Sequence, residues 1–192
     1  MNRLIIGTKN AGKVIEIRSA LGEIVGWTLE PIFSDIPGIE ETGETFLANA
    51  ELKARHYSRY VDDLTLADDS GLCVAALSGR PGVHSARYAP DPPSRIQRLL
   101  GEMKPVDDHN RDAAFYCALA LARKGRVIWT VQREVHGVIA RSPGGTGGFG
   151  YDPVFFMPEL NATMAQLSTE QQNRLSARGK ALTELRKYLL GS

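Results

Sequence analysis

Residues 3–14 read Arg3-Leu4-Ile5-Ile6-Gly7-Thr8-Lys9-Asn10-Ala11-Gly12-Lys13-Val14. The apolar run that ends at Gly7 predicts a short buried strand, and apolar positions at Val14, Ile17 and Leu21 predict a helix that starts just after Gly12. A strand, a glycine-containing loop and a helix in succession are a common phosphate-binding arrangement, because the first helical N–H groups point outward unpaired. Here Ala11 and Gly12 sit at that helix start. Lys9 and Lys13 supply positive charge, and Thr8 and Asn10 supply hydrogen bonds. The loop is not a Walker A loop, which needs four residues between its glycines and then Gly-Lys-Ser/Thr, and here Val14 stands at the Ser/Thr position. An ordinary strand-to-helix turn with solvated lysines accounts for the same residues.

Working outward, the segment from Trp27 to Ile32 predicts a second strand. Thr45 to Tyr60 carries a helical face of Phe46, Leu47, Ala50, Ala54 and Tyr57, with Thr42 or Thr45 as its cap. Leu64 to Ala67 and Leu72 to Ala76 read as two short strands flanking Asp68-Asp69-Ser70-Gly71. Ser94 to Leu100 reads as a short helix. Ala113 to Ala122 fits helix or strand, and the plausible partner Arg126 to Thr130 across Arg123-Lys124-Gly125 favours strand. Val135 to Ala140 adds another. Ser168-Thr169-Glu170-Gln171 has the capping-box pattern, and Gly179 to Leu190 reads as a final amphipathic helix. The class is α/β with a mixed sheet, and residues 1–192 form a single domain without repeats or an obvious linker.

The composition, 43% hydrophobic and 23% charged, supports a real core. A net charge of +1 lacks the basic excess of a nucleic-acid binder. Cys73 and Cys117 lie in apolar runs and read as reduced core residues, and the four histidines show no zinc-ligand spacing. No signal peptide or membrane-spanning run is visible, so a cytoplasmic protein without membrane partners is expected.

Three further segments carry chemistry. Adjacent strand residues point to opposite faces, so one of Asp68 and Asp69 is expected to face a cleft, where a carboxylate holds Mg²⁺ and orients or deprotonates a water. An Asx-type turn with two exposed carboxylates is the plainer alternative. Glu40-Glu41-Thr42-Gly43-Glu44 places three carboxylates before a helix, which suits the helix macrodipole and also suits a second metal ligand. Gly144-Gly145-Thr146-Gly147-Gly148-Phe149-Gly150-Tyr151-Asp152-Pro153 suggests backbone close to a flat ligand, with Phe149 to stack and Asp152 to accept a base N–H.

These segments resemble the inosine triphosphate pyrophosphatase family. The matching motifs, in family order, are Thr8 to Lys13, Glu41 to Phe46, Ala67 to Leu72, Pro81 to Tyr88, Gly147 to Pro153 and Ser176 to Gly179. The resemblance implies Mg²⁺-dependent hydrolysis of non-standard purine nucleoside triphosphates (ITP, dITP, XTP) between the α and β phosphates. It implies an elongated mixed β-sheet flanked by helices, two lobes with a substrate cleft between them, and a homodimer. Thr8, Asn10 and Lys13 carry over as triphosphate contacts. Asp69 carries over as catalytic acceptor and metal ligand, and Ser70 as a substrate contact. Glu41 is taken as the other metal ligand, with Glu40 as alternative. Phe149, Gly150, Tyr151, Asp152 and Arg178 carry over as base contacts.

The chain departs from the family pattern at the base end. Gln172 stands where a lysine is usual, Ala177 where a histidine is usual, and the Glu-Gly common near Gln132-Arg133 is missing. Weaker discrimination between ITP and ATP is therefore expected. The alternatives are a pyrophosphatase of the same fold with a broader or different base preference, and a nucleotide-binding module without turnover.

Overall fold

The structure, a computed structural model, describes residues 1–191. β1 (Asn2–Ile6) is followed by α1 (Ala11–Leu21), β2 (Trp27–Pro31) and α2 (Phe46–Tyr57). Next come β3 (Leu64–Val74), α3 (Pro92–Glu102), β4 (Asp112–Arg123) and β5 (Arg126–Ile139). β6 (Phe155–Met157), β7 (Ala162–Thr163), α4 (Thr169–Leu175) and α5 (Ala177–Leu190) follow. The seven strands are ordered β2-β1-β3-β4-β5-β6-β7. β1 runs parallel to β2 and β3, whereas β6 runs antiparallel to β5 and β7, so the sheet is mixed as expected. Among the described residues, no helix is long and apolar enough to cross a membrane.

The chain divides into two compact units. The first comprises Met1–Asp69, Cys117–Arg133 and Arg178–Ser192. Leu4, Ile5 and Ile6 of β1 are buried in its core, with Ile17 and Leu21 from α1, Ala50 and Ala54 from α2, and Leu182 and Leu185 from α5. β4 settles the helix-or-strand question for the alanine-rich run. Cys117 to Ala122 are buried at every position, as in a central strand covered on both faces. Helix propensity loses to that burial.

The second unit comprises Ser70–Tyr116 and Glu134–Ala177. Leu72, Val74, Leu99, Met103, Val154 and Phe155 form its buried apolar interior, and the Phe115 and Phe155 rings pack at 4.6 Å. The buried Arg111 guanidinium donates to the carbonyls of Ile139 at 2.6 Å, Met103 at 2.8 Å, and Val106 and Ala140 at 3.2 Å. It fastens the approach to β4 against the end of β5.

Several boundaries differ from the sequence reading. The two strands flanking Asp68-Asp69-Ser70-Gly71 are one strand, β3, that runs straight through. Turn-forming residues stay extended there because cations take both carboxylates and the Ser85 hydroxyl takes the Leu72 N–H. The strands at Arg126–Thr130 and Val135–Ala140 are likewise one strand, β5. Thr45, not Thr42, caps α2, accepting from the Ala48 N–H, and the helix stops at Tyr57. α3 starts at Pro92, two residues early, because Asp91 caps it and proline suits the first turn. The Ser168 capping box opens α4, and α5 starts at Ala177 rather than Gly179.

Candidate active site

α2 builds the site through one face. Phe46, Asn49, Ala50, Lys53, Ala54 and Tyr57 recur at helical spacing, and all six are buried. Asn49 and Lys53 thus interrupt an apolar stripe, and buried polar groups need partners. Lys53 Nζ donates to Glu41 Oε1 at 2.6 Å and to Asp69 Oδ1 at 3.0 Å. Asn49 Nδ2 donates to Asp69 Oδ2 at 3.3 Å, while its Oδ1 accepts the Gly43 N–H at 2.7 Å. A Cβ on Gly43 would lie 2.7 Å from that Oδ1, so only glycine lets the acidic segment approach this closely. Glu41, rather than Glu40, therefore shares a cation with Asp69. Lys53 and Asn49 were absent from the sequence reading. Their signal was available: two polar residues, four apart, on the face that carries Ala50 and Ala54.

β3 sends its two aspartates to different partners, as strand alternation requires. Asp68 is buried, and its Oδ2 takes Lys13 Nζ at 2.9 Å and Arg178 Nη2 at 3.1 Å. Arg178 also pairs with the Glu16 carboxylate. Asp68 Oδ1 has no hydrogen-bond partner among the described residues. Burial opposes charge on Asp68, yet Lys13, Arg178 and Lys53 hold its carboxyl well below the usual carboxylate range. Asp69 moves the other way. Its burial outweighs Lys53 and Lys13, with Glu41 adding like charge, and pushes its carboxyl up. Burial also pushes the Glu16 carboxyl up, against the pull of Arg178. For Lys53, burial alone would favour the neutral amine. Asp68, Asp69 and Glu41 more than offset it and keep the ammonium charged. Two neighbouring carboxylates thus have opposite characters: Asp68 is a fixed counter-ion, and Asp69 has raised basicity.

The loop from Thr8 to Lys13 is a capped helix start. Asn10 caps α1, accepting the Lys13 N–H at 3.3 Å, and its own N–H donates to Thr8 Oγ1 at 3.2 Å. Lys9, Asn10, Ala11 and Gly12 are exposed. Lys9 Nζ reaches the Ser34 carbonyl at 3.4 Å, and the Lys13 charge is directed at Asp68.

The glycine-rich loop lies in the second unit. Gly145, Gly147 and Gly148 pack closely against protein, whereas Gly150 faces open space and the loop lines a cavity with Pro92, Ile96 and Leu100. Gly147 N–H donates to the Ala165 carbonyl at 3.0 Å, and a Cβ on Gly148 would collide with the Asp152 carboxylate. Asp152 Oδ2 accepts the Phe149 N–H at 2.9 Å. Phe149 is 46% exposed, whereas Tyr151 is 4% exposed and donates its hydroxyl to the Ser85 carbonyl at 2.9 Å. Gln172 Nε2 donates to the Met164 carbonyl at 2.8 Å, and Ala177 is buried. Ser70 is half-buried in β3, and Gly150 is half-buried in the loop. The structure thus joins Glu41, Asp69, Asp68, Lys13 and Arg178 in one network of the first unit. Ser70, Phe149, Gly150, Tyr151, Asp152, Gln172 and Ala177 belong to the second.

Among the described residues, no group of three or more histidine, cysteine, aspartate or glutamate side chains converges on a metal position. A pair of carboxylates, Glu41 and Asp69, does converge on one cation, the Lys53 ammonium. Two hard oxygen donors fit a Mg²⁺ ion that keeps water and substrate oxygens as its other ligands.

Comparison with known proteins gives a consistent picture. The family model for the Ham1 family matches residues 4–188. A dITP/XTP pyrophosphatase of Geobacillus kaustophilus is 49% identical over 190 residues, covering 96% of this chain and 93% of that protein. A dITP/XTP pyrophosphatase of Bacillus subtilis is 42% identical, covering 98% of each chain. The structure of a HAM1 protein from Coxiella burnetii superposes with a TM-score of 0.90 at 37% identity, covering 100% of both chains. The Staphylococcus aureus Ham1 protein gives 0.86 at 35% identity, covering 99% of both.

Proposed function

Because the chain belongs to the Ham1 family, we propose that it hydrolyses non-standard purine nucleoside triphosphates (ITP, dITP and XTP) to the monophosphate and pyrophosphate, with Mg²⁺ as cofactor. The observation that carries this reading is the Lys53 ammonium held between Glu41 and Asp69, beside the Asp68–Lys13 pair. The network combines hard oxygen donors, a basic buried carboxylate and fixed cations, and anhydride hydrolysis at a polyanion needs all three.

Asp69 takes the proton of the attacking water. The water oxygen bonds to the α phosphorus, and the bond from that phosphorus to the α–β bridging oxygen breaks. Pyrophosphate leaves with that oxygen. The raised basicity of Asp69 suits proton acceptance, and the Asn49 and Lys53 hydrogen bonds fix its orientation. Glu41 and Asp69 would hold Mg²⁺, which when bound draws negative charge from phosphate oxygens. Lys13 and the exposed start of α1, with Thr8, Lys9, Asn10, Ala11 and Gly12, receive the triphosphate tail. Asp68 and Glu16 keep Arg178 and Lys13 ordered while no substrate is bound.

The base is assigned to Phe149, Gly150 and Asp152, with Gln172 and Arg178 as further contacts, and Ser70 is a further substrate contact. Gln172 is neutral and spends an amide N–H on Met164, and Ala177 is buried and has no donor in its side chain. A missing base-directed hydrogen bond costs about 1–3 kcal/mol of discrimination. Preference for ITP or XTP over ATP is therefore narrower than in a chain with lysine and histidine there. The near-neutral net charge of +1 supports a nucleotide rather than a nucleic acid as partner. Family resemblance adds a homodimer. Incubation with ITP and Mg²⁺ tests the reading: IMP and pyrophosphate support it, and IDP with orthophosphate overturns it.

A further inference from the structure

We infer that Ser85 is a positioning residue for base recognition: it suspends the loop Phe149–Asp152 from the Leu72 end of β3. The inference rests on the assignment of that loop to the base in the preceding section.

β1 accompanies β3 only along Leu64–Leu66. Backbone groups of alternate residues face the same edge, so the N–H groups of Leu72 and Val74 point where the Leu66 carbonyl points. The Leu66 carbonyl accepts from Gly7. Further along, the Val74 N–H donates to the Arg80 carbonyl at 3.2 Å, and Cys73 bridges to Pro81. The Leu72 N–H donates to Ser85 Oγ at 2.9 Å, and that hydroxyl donates onward to the Gly82 carbonyl at 2.6 Å. The segment Arg80–Ser85 therefore takes the place of a strand along this stretch of β3, and a single hydroxyl completes the pairing.

The same residue holds the loop. The Ser85 carbonyl accepts the Tyr151 hydroxyl at 2.9 Å. Tyr151 in turn receives the N–H groups of Val154 at 3.0 Å and Phe155 at 3.1 Å on its own carbonyl, which closes the loop onto β6. Burial pushes the Tyr151 hydroxyl up to about 12, so it remains a donor throughout the working pH range. A ring buried to 4% exposure and tied at its tip presents no face to a nucleobase. Tyr151 is thus the anchor of the motif, and the half-exposed Phe149 is its reading ring. Ser85 has its hydroxyl on Leu72 of β3 and its carbonyl on that anchor, so it fixes the loop relative to this stretch of β3.

Tyr151→Phe removes only the tether, and Ser85→Ala removes the grip on β3 together with the hydroxyl's bond to the Gly82 carbonyl. Neither deleted hydroxyl is placed on substrate. In Tyr151→Phe, KM for ITP should rise about 3- to 10-fold with kcat nearly unchanged, and the ITP-to-ATP ratio of kcat/KM should fall by a similar factor. Inorganic tripolyphosphate, which has no base, should inhibit with an unchanged constant. Ser85→Ala should shift the same parameters in the same direction. Amide hydrogen exchange without any nucleotide should speed up across residues 147–153 in both variants. Unchanged exchange there overturns the tether, whatever the substrate proves to be. An unchanged ITP-to-ATP ratio, or an equal loss of tripolyphosphate inhibition, overturns the role in base recognition. Wild-type protein that does not discriminate ITP from ATP would instead refute the base assignment, and the exchange measurement would still decide on the tether.

Discussion

Asp69 and Glu41 meet at the ammonium of Lys53, which lies 3.0 Å from the first and 2.6 Å from the second. A lysine on a largely apolar helix face thereby holds together two carboxylates that lie far apart in the chain. Lys53→Met keeps most of the side-chain volume and removes the charge. Asp69 and Glu41 then face each other with no cation of the protein between them. Turnover of ITP should fall by about a hundredfold or more. Steady-state kinetics at saturating Mg²⁺ check this, and near-normal kcat would remove Lys53 from the machinery.

The two neighbouring aspartates should separate activity from stability. Asp69→Asn deletes a charge that burial disfavours, so thermal stability should hold while turnover falls by several orders of magnitude. Asp68→Asn leaves the half-buried Lys13 and the buried Arg178 beside a neutral amide, and breaking a buried pair costs about 3–5 kcal/mol. Thermal melts and kcat on both variants test the contrast. A reversed pattern would exchange their roles.

Gly43 gives a backbone test. In Gly43→Ala the new Cβ would lie 2.7 Å from Asn49 Oδ1 and 2.9 Å from the Ala48 Cβ. The acidic segment must move outward and carry Glu41 with it. The strain should cost about 1–3 kcal/mol, and the Mg²⁺ concentration needed for half-maximal activity should rise. A melt and a Mg²⁺ titration indistinguishable from wild type would show that the close approach is not needed.

The cysteines test the packing of the interior. Cys117 is buried in β4, and burial pushes its thiol up to about 12. Cys73 is half-buried, with its thiol also raised by burial. The thiolate is the reactive form, so both should react slowly with a disulfide reagent at pH 8. Cys117 should react only at the rate of unfolding. Prompt modification of two thiols in native protein would contradict this packing.

How much of this was legible in the sequence varies from residue to residue. Strand, loop and helix over residues 3–21 were readable because burial and capping are local there, and Asn10 caps as its type suggests. The opposite faces of Asp68 and Asp69 followed from strand geometry. The continuity of β3 did not. It depends on the Ser85 hydroxyl and on cations from Lys13, Lys53 and Arg178, residues remote in the chain. The glycine-rich loop was recognisable as special, but Gly145 and Gly147 meet Ala165 and Gly148 meets Asp152, which no local pattern reveals. Ala177 was read by position alone. Its burial means that Ala177→His would first have to fit a larger side chain into a packed site, at about 1–3 kcal/mol.

The central claim, water attack at the α phosphorus assisted by Asp69, is tested most directly by hydrolysing ITP with Mg²⁺ in ¹⁸O-labelled water and locating the label. The account predicts one labelled oxygen in IMP and none in pyrophosphate. Label in pyrophosphate, or in orthophosphate released with IDP, would contradict it.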